Sequence, residues 1–182
     1  MSNRQSRVIP VVFLTIISLL FLRVGKYGLE GRSIAGDYVA VKRVNDGDTI
    51  TARINGRMEK IRLIGIDAPE LGQEPWGQMA EGRLKAIMAS SAWKVRVEYD
   101  VEKRDKYGRL LAYLWTQDGE MANAGMLSGG YAVLFTFPPN VKHVEELRAA
   151  EKKARSQKLV IWGGQGLRQL PVDYRREHPR LQ

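Results

Sequence analysis

Apolar and polar residues alternate with a period of two through much of the middle of the chain. Tyr38-Val39-Ala40-Val41 and Thr49–Ile54 are rich in β-branched and aromatic residues, which suit a pleated surface. Asn55-Gly56 follows at once, and this pair favours the positive φ angles of a tight hairpin. Residues 58–66 read as the return strand, so a β-meander is expected over 38–66. Trp93, Val95, Val97 and Tyr99 alternate with Lys94, Arg96 and Glu98, a half-buried strand over 93–99. Leu110–Trp115 is a further strand, closed by the Asp118-Gly119 turn.

Elsewhere the spacing is helical. Residues 76–91 place Met79, Leu84, Ile87 and Met88 on an apolar side, and a short helix is expected over 121–128. An apolar piece, 131–137, leads to a last helix over 141–158, with Val141, Val144, Leu147, Ala150 and Ala154 on one side. Strands with helices between and after them predict a mainly β, α+β architecture: a five-stranded β-barrel of the OB type with about three helices. Beyond Trp162-Gly163-Gly164 the chain is polar and Arg-rich, and a loosely held basic tail is expected over 165–182.

The N-terminus breaks the pattern. Arg4 and Arg7 precede an uninterrupted apolar run, 8–22, closed by Arg23. A basic start before a short apolar core reads as a signal peptide or an uncleaved signal-anchor, predicted to form an apolar helix over 1–24. Arg23, Lys26 and Tyr27 stand where a cleavage site should follow, which favours the anchor; Ser33-Ile34-Ala35 has suitable residues but lies far from the apolar core. Residues 25–36 read as a linker and 37–164 as the folded domain, placed on or outside the membrane, in the periplasm or beyond.

Composition narrows the chemistry. The formal net charge of +9 favours polyanions such as nucleic acid or acidic lipid. There is no cysteine and there are only two histidines, which excludes disulfides, thiolate metal sites and a zinc centre of several imidazoles. The residues left to do chemistry are oxygens and guanidinium groups. Asp46-Gly47-Asp48-Thr49 lies at the junction of two predicted strands, where aspartates serve either as turn formers or as cation ligands. Asp67 ends an apolar strand, Pro69 stops it, and Glu70 stands just beyond. Carboxylates at strand ends can converge on a hard cation that completes its shell with water and a substrate oxygen. Arg62 lies inside the strand, where a guanidinium needs an anion or solvent. Arg109 closes Arg104-Asp105-Lys106-Tyr107-Gly108-Arg109, which is either a charged hairpin loop or a second phosphate clamp.

Asp46-Gly47-Asp48-Thr49, Arg62 with Asp67-Ala68-Pro69-Glu70, and Asp105 to Tyr113 together resemble the three signature blocks of the staphylococcal nuclease (thermonuclease) family, in the family's order. The resemblance spans residues 38–163 and extends to Leu159-Val160-Ile161-Trp162. It implies an OB-fold nuclease that uses one calcium ion to hydrolyse DNA and RNA, leaving 3′-phosphate ends, and acts as a monomer. It implies that Asp48, Asp67 and the carbonyl of Ala68 bind the ion. Arg62, Arg109 and Glu70 match the catalytic residues, and Lys106 and Tyr107 match groups that contact the nucleotide. Two departures stand out. Leu71-Gly72-Gln73-Glu74-Pro75-Trp76 lacks the lysines of the family's loop, and Phe135 and Phe137 stand for a pair of pocket tyrosines. A non-catalytic OB module that binds nucleic acid or protein is the competing reading. Retention of Asp48, Arg62, Asp67, Glu70 and Arg109 argues against it.

Overall fold

The computed structural model describes residues 38–179. The apolar N-terminal segment and the linker therefore lie outside the described residues. Within the described residues no helix is long and apolar enough to cross a membrane.

Five strands close into a barrel: β1 (Tyr38–Val44), β2 (Thr49–Ile54), β3 (Arg57–Leu63), β5 (Lys94–Glu98) and β6 (Leu110–Trp115), in the order β1-β2-β3-β6-β5. β1, β2 and β3 form the expected meander, joined at Asn55-Gly56, where both residues take positive φ. A bulge in β1 between Val41 and Arg43 bends the strand, as closure of a small barrel requires. β3 and β6 pair in parallel and close the ring, with Arg62 opposite Leu111. Inward positions are apolar throughout: Ile50, Ala52, Ile61, Leu63, Val95, Ala112 and Leu114 are fully or almost fully buried.

The return strand is shorter than its sequence pattern suggests. Gly65 adopts φ +79°, a left-handed conformation that ends β3, and its missing side chain leaves room for Leu147. The chain then leaves the barrel as β4 (Gly65–Asp67) and pairs with β7 (Val133–Phe135) in a separate two-stranded sheet, with Asp67 opposite Val133. Asn123 braces this junction. Its amide donates to the carbonyl of Ile64, and its side-chain oxygen accepts from the N–H of Leu114.

Four α-helices are present among the described residues: α1 (Trp76–Ser90), α2 (Ala122–Ser128), α3 (Val144–Ser156) and α4 (Pro171–Glu177). A 3-10 turn, Val160–Trp162, follows α3. The first three helices cover one side of the barrel through Ala80, Leu84, Met88, Met126, Leu127 and Leu147. The fourth was not expected, because a polar Arg-rich segment gives no apolar period. Its local signals are nonetheless sound: Pro171 at the first helical position, Asp173 in the first turn, and Arg175 and Arg176 in the last. The C-terminal segment is therefore tied down, contrary to the loosely held tail its composition suggests.

Candidate active site

Two acids distant in sequence meet at the mouth of the barrel. Asp48 lies at the start of β2 and is buried; its Oδ2 accepts from the main-chain N–H of Ala68, and its Oδ1 accepts from the Thr49 hydroxyl. Asp67 ends β4 and is wholly inaccessible to solvent. Both acids meet one nitrogen of Arg62: Nη2 lies 3.0 Å from Asp48 Oδ2 and 3.1 Å from Asp67 Oδ1. The other terminal nitrogen of Arg62 donates to the carbonyls of Leu63 and Ile66 at 2.9 and 2.8 Å. The guanidinium is thus seated by four acceptors, and it holds the ends of β3 and β4 together.

Burial of so much negative charge has an electrostatic cost. Burial pushes the Asp67 carboxyl above the usual aspartate range, although hydrogen bonds and charges from Arg175 and Arg62 pull the other way. Asp46, whose Oδ1 accepts from the N–H of Asp48, is pushed up to about 6 by burial and by the neighbouring Asp48 charge.

Glu70 follows the Pro69 turn. Its main-chain N–H donates to Gln73 Oε1 at 3.0 Å, and its carbonyl accepts from the N–H of Gln73 at 2.8 Å. Its carboxylate meets a residue that lies outside all three sequence motifs. Arg175 of α4 places Nη1 2.9 Å from Glu70 Oε1 and 3.0 Å from Asp67 Oδ1, and Nη2 2.8 Å from Asp67 Oδ2. Desolvation works against the Arg175 charge, but the hydrogen bonds to Asp67 and Glu70 outweigh it and raise its pKa. Arg175 lies more than a hundred positions from Asp67 in the chain, so no local pattern could pair them. The available signal was a basic last turn behind an N-terminal proline.

The second cluster is a loop. Asp105 organises it: Oδ1 accepts the N–H groups of Tyr107 and Arg109, and Oδ2 takes the Arg109 Nε at 2.7 Å. Arg104 braces the loop from outside through two bonds to Glu59 and one to the Gly108 carbonyl. Tyr107 is 69% exposed, with Lys106 Nζ 5.1 Å and Arg109 Cζ 5.6 Å from its ring centre. An exposed ring flanked by two cations suits a base next to its phosphate. The loop feeds β6, which is registered beside β3, so the ladder sets Arg109 close to the strand that carries Arg62. Phe135 and Phe137 are also solvent-exposed, and Phe135 lies opposite Gly65 across the small sheet.

The structure thus gathers Asp48, Arg62, Asp67, Ala68 and Glu70, adds Arg175, and sets Lys106, Tyr107 and Arg109 on the adjoining loop. As a cation site the donors are hard oxygens, which fits calcium or magnesium and not a thiophilic metal. Among the described residues no three acids or histidines are gathered tightly enough to hold a metal alone. Two carboxylates and a carbonyl would leave the rest of the shell to water and substrate. The positions beside these acids are held by guanidinium groups, so the acid cluster already accommodates positive charge.

A family model described as staphylococcal nuclease homologue matches residues 60–164. The thermonuclease of Staphylococcus intermedius is 36% identical over 160 residues, covering 84% of this chain and 94% of that protein. The thermonuclease of Staphylococcus hyicus is 35% identical over 162 residues, with 85% and 94% covered. Endonuclease YncB of Bacillus subtilis (strain 168) is 37% identical over 135 residues, covering 70% of this chain and 63% of that protein. With the barrel, the acid pair and these similarities together, the chain belongs to the staphylococcal nuclease family.

Proposed function

We propose that this chain is a calcium-dependent nuclease that hydrolyses phosphodiester bonds in DNA and RNA and leaves 3′-phosphate ends. The observation that carries the reading is the meeting of Asp48 and Asp67 on one nitrogen of Arg62, with Glu70 at the same mouth. The named thermonuclease and endonuclease relatives support it.

In this reading Asp48, Asp67 and the Ala68 carbonyl hold the calcium ion. When bound, the ion supplies Lewis-acid polarisation of a phosphate oxygen. Glu70 takes a proton from the attacking water or holds that water in line with the leaving 5′ oxygen. Arg62 and Arg109 neutralise charge that builds on the phosphoryl oxygens. Lys106 and Tyr107 seat the nucleotide, the lysine at a phosphate and the ring against a base. The basic surface adds sequence-independent affinity that falls as salt rises.

The N-terminal apolar run supports an extracytoplasmic domain, anchored to the membrane or released from it, where calcium is plentiful. N-terminal sequencing of the mature protein distinguishes the two. Degradation of plasmid DNA and of a structured RNA, with calcium and with chelator, tests the activity itself. Cleavage of both polymers only with calcium is expected; full activity in chelator would remove the metal, and no cleavage at all would leave a binding module.

A further inference from the structure

The C-terminal segment returns to the acidic mouth by a chain of specific contacts. The N–H of Leu167 donates to the Ile161 carbonyl, and the Gln169 carbonyl accepts from Nε2 of buried Gln73. Pro171 is buried, and Tyr174 lies over Gly72 so closely that a Cβ there would collide with its hydroxyl. His178 stacks on Tyr174 with ring centres 4.2 Å apart. These contacts deliver Arg175 to Asp67 face-on, one nitrogen to each carboxylate oxygen, with a further bond to Glu70.

Three features bear on what this guanidinium does. Asp67 has no solvent-accessible side-chain surface while Arg175 covers it. A divalent cation needs direct oxygen contact at about 2.3–2.6 Å, which both Asp67 oxygens now give to guanidinium hydrogens. And α4 is a seven-residue helix, far below the about 12–15 residues at which helices persist alone. Its place is therefore set by tertiary contacts, and losing a few of them releases it.

We propose that Arg175 is a built-in competitor for the divalent cation. α4 latches across Asp67 and Glu70 through Arg175, and cation binding at Asp67 requires that guanidinium to leave. The latch rests on the reading that Asp48 and Asp67 form the cation site, and it adds regulation to that site. The gating is reciprocal: whatever holds α4 down weakens cation binding, and cation binding loosens α4.

The test is calcium titration by calorimetry on the full chain, without nucleic acid, paired with hydrogen exchange of residues 165–179. Arg175→Gln is expected to bind calcium at least tenfold more tightly than the unaltered protein. Gly72→Leu, which lifts Tyr174 and leaves Arg175 intact, is expected to tighten binding in the same direction. In the unaltered protein calcium is expected to speed exchange across α4. Unchanged or weaker calcium binding in Arg175→Gln, with the fold intact by circular dichroism, overturns the latch. Asp67→Asn separates the two ideas. If it abolishes binding while Arg175→Gln changes nothing, only the latch fails; if it binds calcium as the unaltered protein does, the cation site and the latch fall together.

Discussion

The acidic mouth and the Arg104–Arg109 loop deal with charge in opposite ways. At the mouth, Asp48 and Asp67 are buried and neutralised from within by Arg62 and Arg175. On the loop, Tyr107 is open to water and Arg109 is held by Asp105 alone among the ion pairs described. The first region has an internal counter-cation that a metal would have to share or displace. The second offers cations and a ring to an incoming anion with little to break beforehand. One side of the site is set to accept positive charge, and the other negative charge.

The largest effect that would sharpen this contrast is expected at Asp67. Asp67→Asn should lower cleavage of plasmid DNA by about a thousandfold or more, because it removes a central carboxylate and strands two guanidinium groups. Retained activity would break the assignment of the mouth as the cation side. Next, Arg109→Ala should lower kcat by about two to three orders of magnitude with the thermal midpoint almost unchanged, because in the proposed mechanism the residue neutralises transition-state charge from a loop. Asp105→Ala should give a smaller loss, about tenfold, because it frees Arg109 without removing it.

Asp46 tests the mouth through pH. Its folded pKa, about 6, lies above the ordinary aspartate value, so the native state holds a proton that the unfolded chain has already released. Its ionisation therefore costs stability as pH rises from about 4 to about 6. Asp46→Asn keeps the acceptor for the Asp48 N–H and removes that cost. It should stabilise the protein by on the order of 1–2 kcal/mol at pH 7 and leave it unchanged near pH 4, read from denaturant midpoints. A variant less stable at pH 7 would show the carboxylate to be favourable there. The smallest effect is expected at Tyr107: Tyr107→Ala should raise KM about threefold to tenfold with kcat intact, the loss of one stacking surface.

Much of this arrangement was readable from local patterns. The Asn55-Gly56 turn and the period-two strands located the meander, because each feature is decided by neighbours two to four positions away. Asp48, Arg62 and Asp67 were nominated as individual residues by strand ends and a polar residue inside a strand. The break at Gly65 was not legible, because 58–66 carries an unbroken strand-like pattern and only the fit against Leu147 and β7 turns it outward. Arg175 was invisible for a stronger reason. Its partners are set by the path of the tail through Gln73 and Gly72, and no spacing within residues 165–182 encodes a contact with Asp67. Polar composition gave the wrong expectation there because the segment is held by a handful of specific bonds and has no apolar stripe of its own.

The parallel pairing of β3 with β6 acts as a ruler. Arg62 faces Leu111 across that ladder, and Arg109 lies two residues upstream on the same run of chain. The spacing between the two guanidinium-bearing positions is thus measured by main-chain hydrogen bonds and not by loop length. The stretch between β5 and β6 could grow or shrink over evolutionary time without recalibrating it, whereas a one-residue slip of the ladder would turn Arg62 into the barrel interior.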